Sequence, residues 1–475
     1  MLVVEYTKFT RRDCLLTASG TLQATRVHSS GGTKVRLYRA VPFGQTTGGS
    51  VRFARPLPLD FGAPATQALP ASSGGTGAES RTVVVVVTGK WFQSEYNTDF
   101  DGADLAAAGD FIVAVPNHRV GVFGFLNAGV GGAVGNAAVE DLLLALSWLQ
   151  KNAWKFHGDP EDLVALGLGS GAFLLSVILM SPEFNVFRRA FFQGPYPTSP
   201  IPLNTPAHGQ VYVAEMARSL GCPEGDILSQ VKCLRSASEN EIMKSTINVT
   251  AELPFVPGSF YGVALTQLHK RAALGEVTLM LGSDVYDARA MFQRVVPVGD
   301  LYRNGFSEVD VFAYFLRAMR GVAVDKAPIR LMTRGLSDVG SLPELEDYIV
   351  NLWTVCFPRI IADEAAAKNG TVYRYIVTKR SPYRIRDVFD IEMVAGFLKN
   401  ALCILLVAAF LLGLVFVLVL HSTGVLSLRA PAAQATTGDD ANATMAVGLF
   451  AFADAPHTPN APMGDMGELA IELGF

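Results

Sequence analysis

The chain has 475 residues and a mass of 50.9 kDa, enough for one large α/β domain or roughly two or three smaller ones. Half of it is hydrophobic, only 17% is charged and the mean hydropathy is +0.29, which excludes wholesale disorder and points to contact with lipid. With 39 Lys and Arg against 43 Asp and Glu the net charge is −4, so no polycationic surface serves a nucleic-acid partner, and five cysteines with no close Cys/His cluster exclude a disulfide scaffold and a metal site of the zinc type.

Residues 1–14 (MLVVEYTKFTRRDC) contain an acidic Glu5, a short apolar run and no secretory cleavage pattern, so they read as lacking a signal sequence. The apolar runs 82–87 (TVVVVV), 111–115 (FIVAV), 163–166 (LVAL) and 277–281 (VTLML) predict buried parallel strands. Residues 140–152 (EDLLLALSWLQKN) open on two acids and close near Lys151, the charge order of a helix, and 344–356 (ELEDYIVNLWTVC) has a similar period. This alternation predicts an α/β fold with a doubly wound, mostly parallel sheet whose sites lie at the carboxyl ends of the strands. Residues 72–80 (SSGGTGAES) are loop by composition, and 430–443 form a small-residue polar tail. Residues 401–420 carry no charge, Pro, Asn or Gln and would be about 30 Å long as a helix, which predicts one C-terminal transmembrane helix. The alternative is a buried core helix, though such helices seldom stay apolar on every face over that length.

The strand at 163–166 runs into Gly167-Leu168-Gly169-Ser170-Gly171 and then the apolar segment 172–180. A strand, a sharp glycine-flanked turn and a helix are the setting of a nucleophile elbow, in which the middle residue of Gly-x-Ser-x-Gly carries the attacking hydroxyl. Alone, the same residues fit any glycine-rich turn between strand and helix, including a phosphate loop. The middle residue here is Gly169.

Upstream stand Gly135-Asn136, Glu140-Asp141, residues 145–152 (ALSWLQKN) and 156–160 (FHGDP). Together with residues 19–22 (SGTL), 41–44 (VPFG), 51–56 (VRFARP), 117–126 (NHRVGVFGFL) and 187–190 (FRRA), they make a pattern that resembles the type-B carboxylesterase and cholinesterase family. The resemblance implies an α/β-hydrolase domain over 15–396, lacking a family segment near 72–80, followed by the span 401–420 and a tail 421–475 that faintly resembles the family's closing helix. It also implies a disulfide between Cys222 and Cys233.

The resemblance places Gly169 at the nucleophile position. Moving the register so that Ser170 attacks would need glycines at Leu168 and Ala172. The family's oxyanion stretch corresponds to Thr88-Gly89-Lys90-Trp91-Phe92, where Lys90 and Trp91 set side chains against a site that uses bare backbone N–H groups. Asp287 falls at the acid position, and His421 is the candidate base, beyond the apolar span. His118 and His157 align with scaffold positions.

The expectation is a membrane-anchored, inactive domain similar to neuroligins, gliotactin and neurotactin, which keep the hydrolase fold for protein recognition. The alternatives are a residual ester hydrolase using Lys90, Asp287 or Ser170, and a degenerate or truncated gene product. No cofactor is implied. The partners expected are the lipid bilayer and an extracellular protein, with the oligomeric state left open. The sequons at Asn248, Asn369 and Asn442 fit an extracellular domain, whereas Lys379, Arg380, Arg384, Arg386 and Lys399 before the span favour the opposite orientation. The family resemblance decides for the outside.

Overall fold

The computed structural model describes residues 2–6, 14–17, 20–59, 80–94, 100–181, 186–197, 205–249, 274–285, 288–289 and 342–377. Asp287, His421, Asn442, the span 401–420, the tail after it and residues 72–79 lie outside the described residues. Among the described residues no helix is long and apolar enough to cross a membrane.

The chain opens with β1 (Leu2–Tyr6), the hairpin β2 (Cys14–Thr17) and β3 (Gly20–Gln23), then β4 (Thr25–His28) and β5 (Lys34–Val41). There follow β6 (Arg81–Gly89), α1 (Ala103–Gly109), β7 (Ile112–Pro116), α2 (Gly121–Phe125), α3 (Ala137–Asn152), β8 (Gly158–Gly169), α4 (Ser170–Met180) and β9 (Phe187–Gln193). Next come α5 (Pro206–Ser219), α6 (Ile227–Ser236), α7 (Glu239–Val249) and β10 (Thr278–Asp284). After β10 the described chain resumes with α8 (Leu342–Asn351), a π-helical turn Leu352–Cys356, α9 (Phe357–Ala367) and β11 (Thr371–Val377).

The sheet order is β11-β10-β9-β8-β6-β7-β1-β5-β4. Strands β6 to β11 run parallel, while β1, β5 and β4 continue the sheet antiparallel. The valine run explains why β6 lies near the middle: β-branched side chains suit an extended backbone, and both faces of this strand are buried. Val83, Val85 and Val87 join the core under α3, α4 and α9, whereas Val84 and Val86 pack with Ala103, Leu105 and Ala106 of α1. The expected doubly wound sheet is therefore present, and α4, buried along its whole length, is its central helix.

The elements differ from the sequence reading mainly at their ends. β8 begins at Gly158 rather than near Leu163, because Arg81 of β6 pairs with Gly158 across an irregular register. The segment 344–356 is helical as expected, but it is α-helical only to Asn351 and π-helical from Leu352 to Cys356, and within this widened turn the carbonyl of Val355 accepts from Nη2 of Arg374 at 2.9 Å. Residues 2–6, read only as too short for a signal, form a strand inserted between β7 and β5.

The Cys222–Cys233 disulfide is formed, with Cα atoms 6.0 Å apart. It joins the end of α5 to α6, whose Arg235 donates from Nε to the carbonyl of Arg52 at 2.8 Å. Arg52 in turn donates to the carbonyl of Ala237 at 2.6 Å, so this small helical unit is tied to the segment around Phe53.

Candidate functional site: the glycine row at the end of the sheet

β8 ends at Gly169 and α4 begins at Ser170 without an intervening loop. Gly169 has φ 57° and ψ −131°, a left-handed turn conformation that L side chains rarely adopt, and it is the apex of the elbow. No side chain projects from that apex. The reason is also steric, because β6 and β8 stay in register to their last residues and Gly89 faces Gly169. A Cβ on Gly169 would lie 2.2 Å from the carbonyl oxygen of Gly89.

The crowding continues on both sides. A Cβ on Gly89 would meet Oγ of Ser170 at 2.3 Å, so that hydroxyl rests against the β6 backbone and Ser170 is itself only 3% exposed. Gly194, just after β9, lies so near that its Cβ would be 2.7 Å from the Gly169 carbonyl oxygen, and its N–H donates to Gly282 of β10 at 3.4 Å. Gly89, Gly169, Gly194 and Gly282 thus form a row near the carboxyl ends of β6, β8, β9 and β10, where Gly169 and Gly194 press on neighbouring backbone, Gly89 on the Ser170 hydroxyl and Gly282 on the Tyr375 ring.

Lys90 and Trp91 follow Gly89 in a tight turn. The Lys90 N–H donates to the Ser94 carbonyl at 2.9 Å, and Trp91 and Phe92 both have positive φ, 58° and 59°. Lys90 is exposed and Trp91 half-buried. Phe92 turns inward, edge-on to Phe125 and to Phe173 of α4, and its carbonyl accepts from the Gly121 N–H at 2.6 Å. The stretch that corresponds to the family's oxyanion residues is folded back on itself and anchored by a buried ring.

On the other side of the elbow, the Tyr375 hydroxyl donates to Oε1 of Gln193 at 2.6 Å, crossing over Gly282. The Tyr196 hydroxyl donates to the Gly282 carbonyl at 2.6 Å. Burial raises both phenols above their ordinary value, with Asp284 and Tyr196 adding to the rise at Tyr375 and Arg374 opposing it at Tyr196. Both hydroxyls therefore stay protonated as donors rather than bases. Gly194, Tyr196 and Tyr375 were not singled out by the sequence reading; Gly194-Pro195 directly after an apolar strand is the signal that would have marked the turn.

Below the elbow, Arg119 donates from Nε to Oδ2 and from Nη2 to Oδ1 of Asp141, both at 2.8 Å, and from Nη1 to the Ala54 carbonyl at 2.7 Å. His118, beside it, is 7% exposed, and burial lowers its pKa from 6.5 to about 4. Between those values the unfolded chain binds a proton that the folded chain does not, so stability falls as pH falls through that window, by about 1.4 kcal/mol per pH unit. Urea denaturation between pH 7 and 4 should show this slope, and His118→Gln should flatten it. An unchanged slope would remove His118 as its source.

The structure brings together Gly89, Lys90, Trp91, Gly169 and Ser170. Asp287 and His421 lie outside the described residues, Asn248 lies in the last turn of α7, and Asn369 lies in the turn between α9 and β11. His157 is in a left-handed turn ahead of β8, with its carbonyl accepting from the Arg81 N–H at 3.0 Å, a structural position.

Comparison with known proteins gives 32% identity over 197 residues to thyroglobulin of Mus musculus, covering 39% of this chain and 7% of that protein. It gives 33% over 168 residues to neuroligin-2 of Rattus norvegicus, 35% of this chain and 20% of that one. It gives 37% over 147 residues to acetylcholinesterase of Gallus gallus, 30% of this chain and 19% of that one. The aligned stretches thus span well under half the length of these relatives. The model of the carboxylesterase family matches residues 63–384, more than half of the chain, and takes in the elbow, the turn at Lys90 and the parallel strands that present them; the protein belongs to the carboxylesterase family.

Proposed function

We propose that this protein is a membrane-anchored, catalytically inactive cholinesterase-like domain that serves protein recognition at the cell surface. The observation that carries the reading is the apex of the elbow: Gly169 offers no nucleophile, and the Gly89 carbonyl occupies the space beside it. In an acyl-transfer site of this family the apex hydroxyl, a base and open N–H donors act as one unit, so losing the nucleophile alone costs about 10⁶ in rate. Lys90 and Trp91 belong to a tight turn, and with glycine at the apex an acid at Asp287 would have no elbow hydroxyl to serve. The relatives are in keeping with this, since thyroglobulin and neuroligin-2 stand beside an enzyme, acetylcholinesterase. The disulfide fits an oxidising compartment, and the apolar stretch 401–420 fits the anchor.

The test is labelling of the full-length protein by a fluorescent organophosphonate, with short-chain aryl esters as substrates. The expected result is no label and no turnover above a denatured control. Stoichiometric label on Ser170 overturns the reading. Anchoring is checked by alkaline carbonate extraction, in which the protein should remain with the membranes; release into the supernatant refutes the anchor.

A further inference from the structure

We propose that Asn369 carries an N-linked oligosaccharide, an inference that rests on the extracellular reading above. The helix α9 ends in a turn made entirely by backbone groups: the N–H groups of Lys368 and Gly370 donate to the Ala365 carbonyl at 3.1 and 2.8 Å, and that of Asn369 donates to Ala366 at 3.0 Å. Asn369 takes the left-handed conformation at φ 62°, where asparagine is tolerated. Its side chain is exposed and contributes no hydrogen bond to the turn. Gly370 fixes the shape, because a Cβ there would lie 2.5 Å from the Leu274 carbonyl oxygen. Thr371, the first residue of β11, is exposed as well, so both residues that an acceptor site requires are exposed. Asn248 is a residue of α7.

The position also suits the proposed role. β10 and β11 run parallel with Thr278 opposite Thr371, so Asn369 lies at the amino ends of these strands. The glycine row lies at the opposite ends, about 20 Å away along strands of this length. A bulky hydrated glycan at Asn369 leaves the carboxyl face of the sheet clear for a partner. In the transfer, Nδ2 of Asn369 forms a bond to C1 of an oligosaccharide supplied on a lipid pyrophosphate. The C1–O bond to the pyrophosphate breaks, the lipid pyrophosphate leaves and the amide gives up one proton.

The experiment expresses the full chain in secreting animal cells and digests it with peptide N-glycosidase in heavy-oxygen water. The expected result is a mobility shift, a heavy-oxygen aspartate at position 369, loss of that mark in Asn369→Gln and Thr371→Ala, and its retention in Thr371→Ser. Resistance of Cys222 and Cys233 to alkylation verifies that each variant is folded. A mark at Asn248 or Asn442 without one at 369 overturns the proposal, as does an unshifted protein whose disulfide is intact. An unshifted protein with both thiols alkylated overturns the extracellular reading and this inference with it.

Discussion

Gly169→Ser is expected to yield a less stable protein and no esterase. A hydroxyl at the apex would ordinarily be the first step in restoring activity, but here its Cβ must enter space held by the Gly89 carbonyl oxygen, 2.2 Å away. The φ of 57° adds strain for any L side chain. Strain and overpacking each cost about 1–3 kcal/mol, so the substitution should lower stability by about 2–6 kcal/mol in denaturant titrations. Gly169→Ala should cost much the same, since the Cβ and not the hydroxyl makes the clash. Relief requires the end of β6 to move away from β8, and that movement disturbs the turn at Lys90 and the seat of Phe92. Neither variant should react with an organophosphonate. Reaction of Gly169→Ser would mean that the strand ends separate easily and that a base lies within reach.

Asp141→Ala is expected to cost about 3–5 kcal/mol, the usual result of stranding one member of a buried pair. Both side chains are largely withdrawn from water, 11% exposed for Arg119 and 7% for Asp141. The carboxylate accepts from Nε, Nη2 and the backbone N–H of Arg119, the last at 3.0 Å, and Arg119 continues to the Ala54 carbonyl. One pair therefore holds α3, the segment before α2 and the stretch around Phe53. Arg119→Ala should be comparably damaging, and the double variant should cost less than the two combined, as expected for coupled sites. Losses below about 1 kcal/mol for each single variant would show that the pair is replaceable. As a contrast, Arg189 and Asp162 also pair at 2.9 Å, but Asp162 is 31% exposed and breaking that pair should cost less.

These contacts show what was legible in the sequence. Arg119, Asp141 and Ala54 each sit in a stretch that carried the family resemblance, and the fold brings them into one network. The valines of β6 and the helix over α3 were readable because their period matches the two-sided burial of a central strand and the one-sided burial of a covering helix. β8 was readable only from Leu163 onward, since Gly-Asp-Pro-Glu-Asp has loop composition and is extended through its pairing with β6. The π turn was hidden because one widened turn barely changes the apolar period across Trp353 and Phe357. At the candidate site, the missing hydroxyl at Gly169 and the side chains of Lys90 and Trp91 in the oxyanion stretch were visible, but the crowding of glycine against glycine was not. Gly89, Gly169, Gly194 and Gly282 are distant in sequence, and only strand register sets them side by side.

The place of β1 has a consequence for synthesis. Its two neighbours are β5, whose Leu37 pairs with Glu5, and β7, whose Val113 pairs with the same residue. A ribosome adding about 5–20 residues per second delivers β7 only after about 110 further residues, or about 5–20 s after β1. During that interval β1 can hold β5 along one margin while its other margin waits for a partner not yet made. The nascent chain therefore passes through a stage in which Val3 and Val4 lie beside an unfilled ladder, a target for chaperones that bind extended apolar segments. Loss of β1 would leave β5 and β7 facing each other across a gap of one strand, so these few residues decide whether the antiparallel margin of the sheet joins the parallel part at all.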